Sequence, residues 1–331
     1  MKDDPQDRAP NRLPVDDAAR DQLMVQVARM TYHEDRTLTE IATETGLNRW
    51  QVSRLLQEAR DTGIVRIEIV PRTLRHPDLE TALARTFGLR DALVVPGPDD
   101  SPQGIDAVAK AAGQYLAQIK PRPQLIGVSW GRTMGSIAHW LPPDWADGVT
   151  VVQINGTVAP TPGLAHHNDV AEVFARKGKG RMVPLPVPAI VGHRETREVL
   201  ERDRIVTDVL RLARSAQVLA FSLGIVGDDS VLLRSGNILK HEMAQLIRAG
   251  AVGDVLGHFI NRRGEVVDSD LDARTIGLGL ADLRARERVI GIATGAAKHD
   301  VTLGALQAGL INVLVTDEAT ATFALEHAHD R

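Results

Sequence analysis

From Leu125 to Val315 the chain alternates short apolar runs with longer segments of helical spacing, and no other feature limits its fold as tightly. The runs are 125–128, 149–154, 183–187, 218–221, 289–293 and 313–315; the helical segments between them include 132–141, 196–213, 238–249 and 301–308. Runs that are apolar on both faces belong to buried strands, and strand–helix alternation gives a mostly parallel sheet covered by helices. Upstream, a helix over Leu79–Phe87 stops at Gly88, Ala92–Val95 reads as a further strand, and another helix is expected over Ile105–Ile119. The fold class is therefore α/β over this part. Aromatic residues make up only 3% of the 331 residues, so the core has to be aliphatic. At 43% hydrophobic and 25% charged the composition is ordinary for a globular chain, and the length suggests two domains.

The first 76 residues follow a different rule. Residues 1–15 are polar and Pro-rich, which predicts a loose tail. From Asp16, Leu23, Val27 and Met30 fall at helical spacing up to Tyr32; a second helix starts at Leu38, with Thr37 or Thr39 able to cap it, and stops at Gly46. Asn48 then caps a third helix over Arg49–Arg60, closed by Gly63. Two helices joined by a short turn at Gly46, with Ile41, Ala42, Leu47, Val52, Leu55 and Leu56 inward, form a helix-turn-helix. Residues 64–70 alternate apolar and charged side chains, as the strand of a wing does.

The whole chain carries a formal charge of −4, which excludes a basic coat, but residues 46–75 hold six arginines against three acids. A local positive patch on a helix-turn-helix points to DNA. Thr39, Asn48, Arg49, Trp50, Gln51, Ser53, Arg54 and Arg60 are the candidate contacts, because these side chains reach base edges or phosphates. The competing reading is a surface helical pair with solvated arginines. His76-Pro77 marks the boundary, since the residue before proline is driven out of helix. The expected division is a tail at 1–15, a winged helix-turn-helix at 16–76, and an effector and oligomerisation domain at 77–331.

In open α/β sheets, ligands bind beyond the carboxyl ends of the strands. Two loops there suit an anion. The first is Ser129-Trp130-Gly131-Arg132-Thr133, offering two hydroxyls, one glycine and one guanidinium; the second is Thr294-Gly295-Ala296-Ala297-Lys298. Asn155-Gly156, the stretch from Ser222 through Gly224 to Gly227, and Asp254 occupy comparable strand-end positions. Neither loop carries a GxxxxGK[ST] or GxGxxG fingerprint, so the nucleotide-binding motifs that such loops can signal are missing here. His166 and His167 lack a third metal ligand, and the acidic run at 268–272 lacks the glycine and closing glutamate of a calcium loop. It reads as a solvated acidic turn. With no cysteine there is no disulfide, thiolate metal site or cysteine nucleophile, and no cofactor is expected. The longest uncharged stretch, 148–168, is broken by polar residues and prolines, and the first residues show no leader pattern, so the expected location is the cytoplasm, with no membrane partner.

The residues from Leu38 to Ala42 and Val52 to Leu56, Gly63 to Ile67, the 127–133 loop, Gly253-Asp254-Val255-Leu256-Gly257-His258-Phe259 and 291–298 together resemble the SorC family of bacterial sugar-binding transcriptional regulators, a class that also contains central glycolytic gene and deoxyribonucleoside regulators. The resemblance runs from about residue 20 to 325. It implies a winged helix-turn-helix followed by an effector domain similar to sugar-phosphate isomerases and deaminases, usually assembled as a homotetramer and binding operator DNA and a phosphorylated sugar, while half-site geometry alone asks for at least a dimer. It places Ser129, Gly131 and Thr133 in the family's first phosphate loop and Lys298 at its phosphate-facing lysine. Asn48 stands where the family has Ser, Arg49-Trp50-Gln51 replaces Arg-Pro-Thr, and Asn155-Gly156-Thr157 keeps only part of an Asn-Gly-Gly pattern. The expected function is effector-controlled regulation of a carbohydrate catabolic operon, without catalysis. The rival is an isomerase- or deaminase-like enzyme with Asp254 or a nearby carboxylate as base.

Overall fold

The computed structural model describes residues 17–65, 75–97, 102–158, 169–284 and 286–329. The chain divides into two compact units, Met1–Arg72 and Thr73–Arg331.

The first unit holds helices α1 (Asp17–Tyr32), α2 (Leu38–Thr45) and α3 (Arg49–Asp61). Each of the last two starts on a reciprocal cap. The Glu40 N–H donates to Thr37 Oγ1 at 3.4 Å and the Thr37 N–H to Glu40 Oε2 at 2.9 Å; the Gln51 and Asn48 N–H groups donate to each other's side-chain oxygens at 2.9 Å. Thr37, rather than Thr39, is thus the cap. Gly46, at φ +71°, ends α2 in the left-handed region and makes the turn into α3. Met24, Val27, Ile41, Val52, Leu55 and Ala59 are buried between the three helices, as their spacing demands. Ile64 and Val65 lie in a bend; the rest of the expected wing, 66–70, lies outside the described residues, as does the expected tail.

The second unit is a seven-stranded, wholly parallel sheet with helices on both faces. In chain order it runs α4 (Pro77–Phe87), β1 (Asp91–Val95), α5 (Pro102–Gln118), β2 (Leu125–Val128), α6 (Arg132–Trp140), β3 (Thr150–Gln153), α7 (Val170–Lys177), β4 (Arg181–Val183), α8 (Arg194–Arg202), α9 (Arg204–Ser215) and β5 (Val218–Ser222). There follow α10 (Val231–Arg234), α11 (Lys240–Arg248), an antiparallel hairpin of β6 (Gly253–Val255) and β7 (His258–Ile260), α12 (Ser269–Asp272), α13 (Leu280–Leu283), β8 (Arg288–Ile292), α14 (His299–Gln307), β9 (Val313–Asp317) and α15 (Glu318–Glu326).

The sheet order is β1-β9-β8-β5-β2-β3-β4. Alternate strand residues feed two aliphatic layers: Ala92, Val94, Leu219 and Phe221 face one, Leu93, Val95, Val218 and Ala220 the other. From β2 the strands run outward to β3 and β4, whereas from β5 they run the opposite way to β8 and β9. The reversal falls between β2 and β5, paired in register Ile126↔Val218 and Val128↔Ala220, and there the diverging connections leave a crevice at the strands' carboxyl ends.

Several elements differ from the sequence reading, three of them instructively. The strand expected at 183–187 ends at Val183, because Pro184 and Pro186 offer no N–H to a ladder, although Leu185 and Val187 remain in the core. The helix expected over 196–213 is two helices: Asp203, at ψ 135°, accepts the Ile205 N–H at 2.9 Å and caps α9 while ending α8. The β6–β7 hairpin has no counterpart in that reading.

Candidate functional site

The crevice at the reversal point is a cavity of about 420 Å³, a volume suited to a small metabolite. The loop after β2, the loop after β5, Asn155 after β3, Thr294 and Lys298 after β8, and Asp254 from the hairpin all reach it. Ser129, Trp130, Gly131, Arg132, Thr133, Asn155, Gly224, Asp254, Thr294 and Lys298, all expected from sequence, line one wall or another.

Its cationic end is built on the start of α6. Gly131, at φ +128°, takes a backbone that a side-chain-bearing residue resists, and brings no side chain to cap the first turn. The first N–H groups of α6 are thereby open to an anion. Lys298 Nζ donates to Ser222 Oγ at 2.7 Å and to Thr133 Oγ1 at 3.4 Å, tying three loops at one point. Burial, together with the charge of Arg132, pushes the Lys298 ammonium down to about 8, against the pull of Asp254. The Gly295 N–H donates to the buried Asp317 carboxylate at 2.8 Å, which fixes the loop carrying Lys298.

The other end is carboxylic. Asp254 is buried, and burial pushes its carboxyl up to about 6, opposed by the Gly257 N–H at 2.9 Å from Oδ2 and by the charges of His258 and Lys298. Gly224 and Asp254 exchange backbone hydrogen bonds at 2.9 and 3.2 Å, and a Cβ at position 224 would stand 1.8 Å from Asp254 Oδ1. A larger residue there would have to displace the Asp254 carboxylate. Asn155 Oδ1 and Thr294 Oγ1 are buried at the cavity wall with no hydrogen-bond partner among the described residues, which is costly unless a ligand satisfies them.

Two expected residues stand behind the wall. Gly156 accepts the Trp130 indole N–H on its carbonyl at 2.6 Å and so holds the first loop, while Gly295 acts through Asp317. Ser222, Leu223 and Ile225, from the stretch expected after β5, also line the cavity, whereas Asp229, Leu232 and Leu256 were not among the expected contacts and had no signal in the sequence. His166 and His167, together with Asn168, lie outside the described residues.

On the first unit, Arg49, Trp50, Ser53, Arg54 and Arg60 lie on the exposed face of α3, and Thr39 is exposed on α2. Trp50 is 67% exposed with the Arg54 guanidinium 5.6 Å over its ring, an apolar surface with charge set for a partner. Asn48 and Gln51 spend their side-chain oxygens on the α3 cap, and Arg60 donates to Gln57 at 2.8 Å. Among the described residues no helix is long and apolar enough to cross a membrane.

A helix-turn-helix unit joined to a doubly wound α/β unit with a metabolite-sized crevice defines a transcriptional regulator that senses a small molecule. The family model named "Putative sugar-binding domain" matches residues 72–326, and the chain belongs to this family, the SorC-type sugar-binding transcriptional regulators. It is 31% identical over 306 residues to the deoxyribonucleoside regulator of Bacillus subtilis, covering 92% of this chain and 97% of that one. Similarity to the transcriptional regulator LsrR of an Enterobacter species is 32% over 310 residues, covering 92% and 93%. The crystal structure of the full-length sorbitol operon regulator SorC from Klebsiella pneumoniae superposes with a TM-score of 0.68 at 28% identity, covering 92% of this chain and 99% of that one.

Proposed function

We propose that the chain regulates a carbohydrate catabolic operon by binding operator DNA through α2 and α3 and a small phosphorylated sugar, or related metabolite, in the crevice of the second unit. One observation carries this reading: Lys298, Ser222 and Thr133 converge at the uncapped start of α6, while Asp254 and the unpartnered Asn155 Oδ1 face the same cavity. A phosphate belongs at the first group and sugar hydroxyls at the second. Named relatives fit the direction of this reading, since they are a deoxyribonucleoside regulator and a sorbitol operon regulator.

The effector acts by differential affinity for two arrangements of a homo-oligomer, at least a dimer, because two recognition helices have to reach half-sites one helical turn or a multiple apart. The crevice serves binding rather than turnover, and the protein works in the cytoplasm without a cofactor. The test is a titration of tryptophan fluorescence and thermal midpoint with ribose 5-phosphate, fructose 6-phosphate, glycerol 3-phosphate and the parent sugars. Binding of one phosphosugar that is lost in Lys298→Ala and Thr133→Ala supports the reading; binding of the parent sugar alone removes the phosphate assignment. Conversion of the bound phosphosugar, followed by chromatography, would instead establish an enzyme.

A further inference from the structure

We propose that His258 is a positioning residue of the effector site: protonated on both ring nitrogens, it supplies a fixed buried positive charge that keeps the Asp254 carboxylate ionised and available to the ligand. The proposal rests on the crevice being the effector site.

The two residues belong to one hairpin. Asp254 lies on β6 and His258 on β7, joined through Leu256 and Gly257 at φ +57° and +93°. His258 is buried, and its two ring nitrogens meet two acceptors: Nδ1 lies 2.6 Å from Asp272 Oδ1, and Nε2 lies 3.2 Å from the Leu278 carbonyl oxygen. A neutral imidazole has a single N–H, so either tautomer would aim a lone pair at one of these oxygens. Only the imidazolium donates to both. Asp272 completes the pair: burial works to raise its carboxyl, yet the His258 hydrogen bond and charge, with Arg197, hold it below the usual carboxylate range. Arg197 also donates to the Asp272 backbone oxygen at 3.0 Å, fixing the residue from α8.

Asp254 gains from this charge because little else near it is positive. Its Oδ2 accepts the Gly257 N–H, and its Oδ1 has no protein donor among the described residues. The charged groups around it are His258 on its own hairpin, Lys298 and Arg132 across the cavity, and Asp106 and Asp229 on the cavity wall. Burial opposes the carboxylate, whereas the Gly257 N–H, His258 and Lys298 favour it. A ligand phosphate engages Lys298 at the far end, which leaves His258 as the cation that still serves Asp254 in the occupied site. The acidic run at 268–272 is therefore more than a solvated turn, since Asp272 anchors the imidazolium.

The test uses the full chain labelled with 15N-histidine and 13C-carboxyl aspartate, and needs no ligand. At pH 7 both His258 nitrogens are expected to carry protons, and a single neutral tautomer would overturn the proposal. In His258→Gln, which is neutral but hydrogen-bonding, the Asp254 carboxyl is expected to titrate about one pH unit higher, a tenfold gain in proton affinity. An unmoved Asp254 midpoint in a folded variant means that His258 is merely structural. Should His258→Gln fail to fold, Asp272→Asn at the half-buried partner serves instead: His258 is expected to lose its second proton at lower pH than in the parent chain, and an unchanged His258 titration overturns the proposal. With ribose 5-phosphate or fructose 6-phosphate as the probe, the acid limb of binding should follow Asp254 upward in His258→Gln. If none of the phosphates or parent sugars of the panel binds, the effector reading fails, and the histidine and carboxyl titrations still decide the role of His258.

Discussion

At the scale of single residues the crevice sets two opposed titrations against each other. Lys298 binds a phosphate well only as the ammonium, and with its value near 8 affinity should fall as pH rises through that point. Asp254 accepts hydroxyl donors only as the carboxylate, and with its value near 6 affinity should also fall as pH drops through that point. Because the second ionisation of a phosphate monoester lies near 6 as well, the acid limb is reinforced. Binding isotherms between pH 5 and 9 should therefore be bell-shaped with a maximum near neutrality, and a flat profile would separate both groups from the ligand. Gly224→Ala offers a steric check on the same carboxylate. The new Cβ meets Asp254 Oδ1, so the carboxylate has to turn away; a loss of at least ~10-fold in effector affinity is expected, with an overpacking cost of about 1–3 kcal/mol in urea unfolding.

Elements show where local sequence decides and where it does not. Helix α3 was legible because Asn48, Gln51, the buried stripe Val52, Leu55, Leu56 and Ala59, and the turn at Gly46 all agree on one answer. Its cap is a direct handle: Asn48→Ala removes the acceptor of the Gln51 N–H and should lower the stability of the first unit by about 1 kcal/mol, read by chemical denaturation. The parallel strands were legible for a similar reason, being short apolar runs bounded by turns. Proline chemistry moved β4 toward the N-terminus, and a side chain-to-backbone bond at Asp203 broke a helix whose apolar spacing runs on unbroken. The hairpin stayed hidden because Gly253–Val255 and His258–Ile260 are only three residues each, too short for period-two alternation to register. The loops after β2 and β8 that line the crevice could be found from strand ends; the Asp254–His258–Asp272 cluster could not, since its members meet only through a tertiary contact across 14 residues of chain.

For the whole molecule, the charge balance predicts how DNA is held. A chain at −4 overall can be drawn to DNA only through a local face, and Arg49, Arg54 and Arg60 on α3 present one. Operator affinity should fall steeply with salt, with a slope of about −0.9 for each phosphate neutralised. Arg54→Ala is expected to weaken binding at fixed salt without lowering the thermal midpoint; if Arg54 contacts a phosphate, the salt slope also drops by about one, and if it reads a base, discrimination between operator sequences drops instead. Unchanged binding would remove Arg54 from the interface. The topology of the second unit carries a further consequence, one of timing. Strand β1 finds its ladder partner only in β9, with Asp91 opposite Val313, ~220 residues further along the chain. Strands β2 and β5, whose reversal opens the crevice, lie ~90 residues apart, with two outward strands made in between. A ribosome emitting this chain delivers the three helices of the first unit before any strand of the sheet, and β9, which closes the ladder to β1, only near the end, so the second unit cannot finish its sheet until almost the whole chain is made.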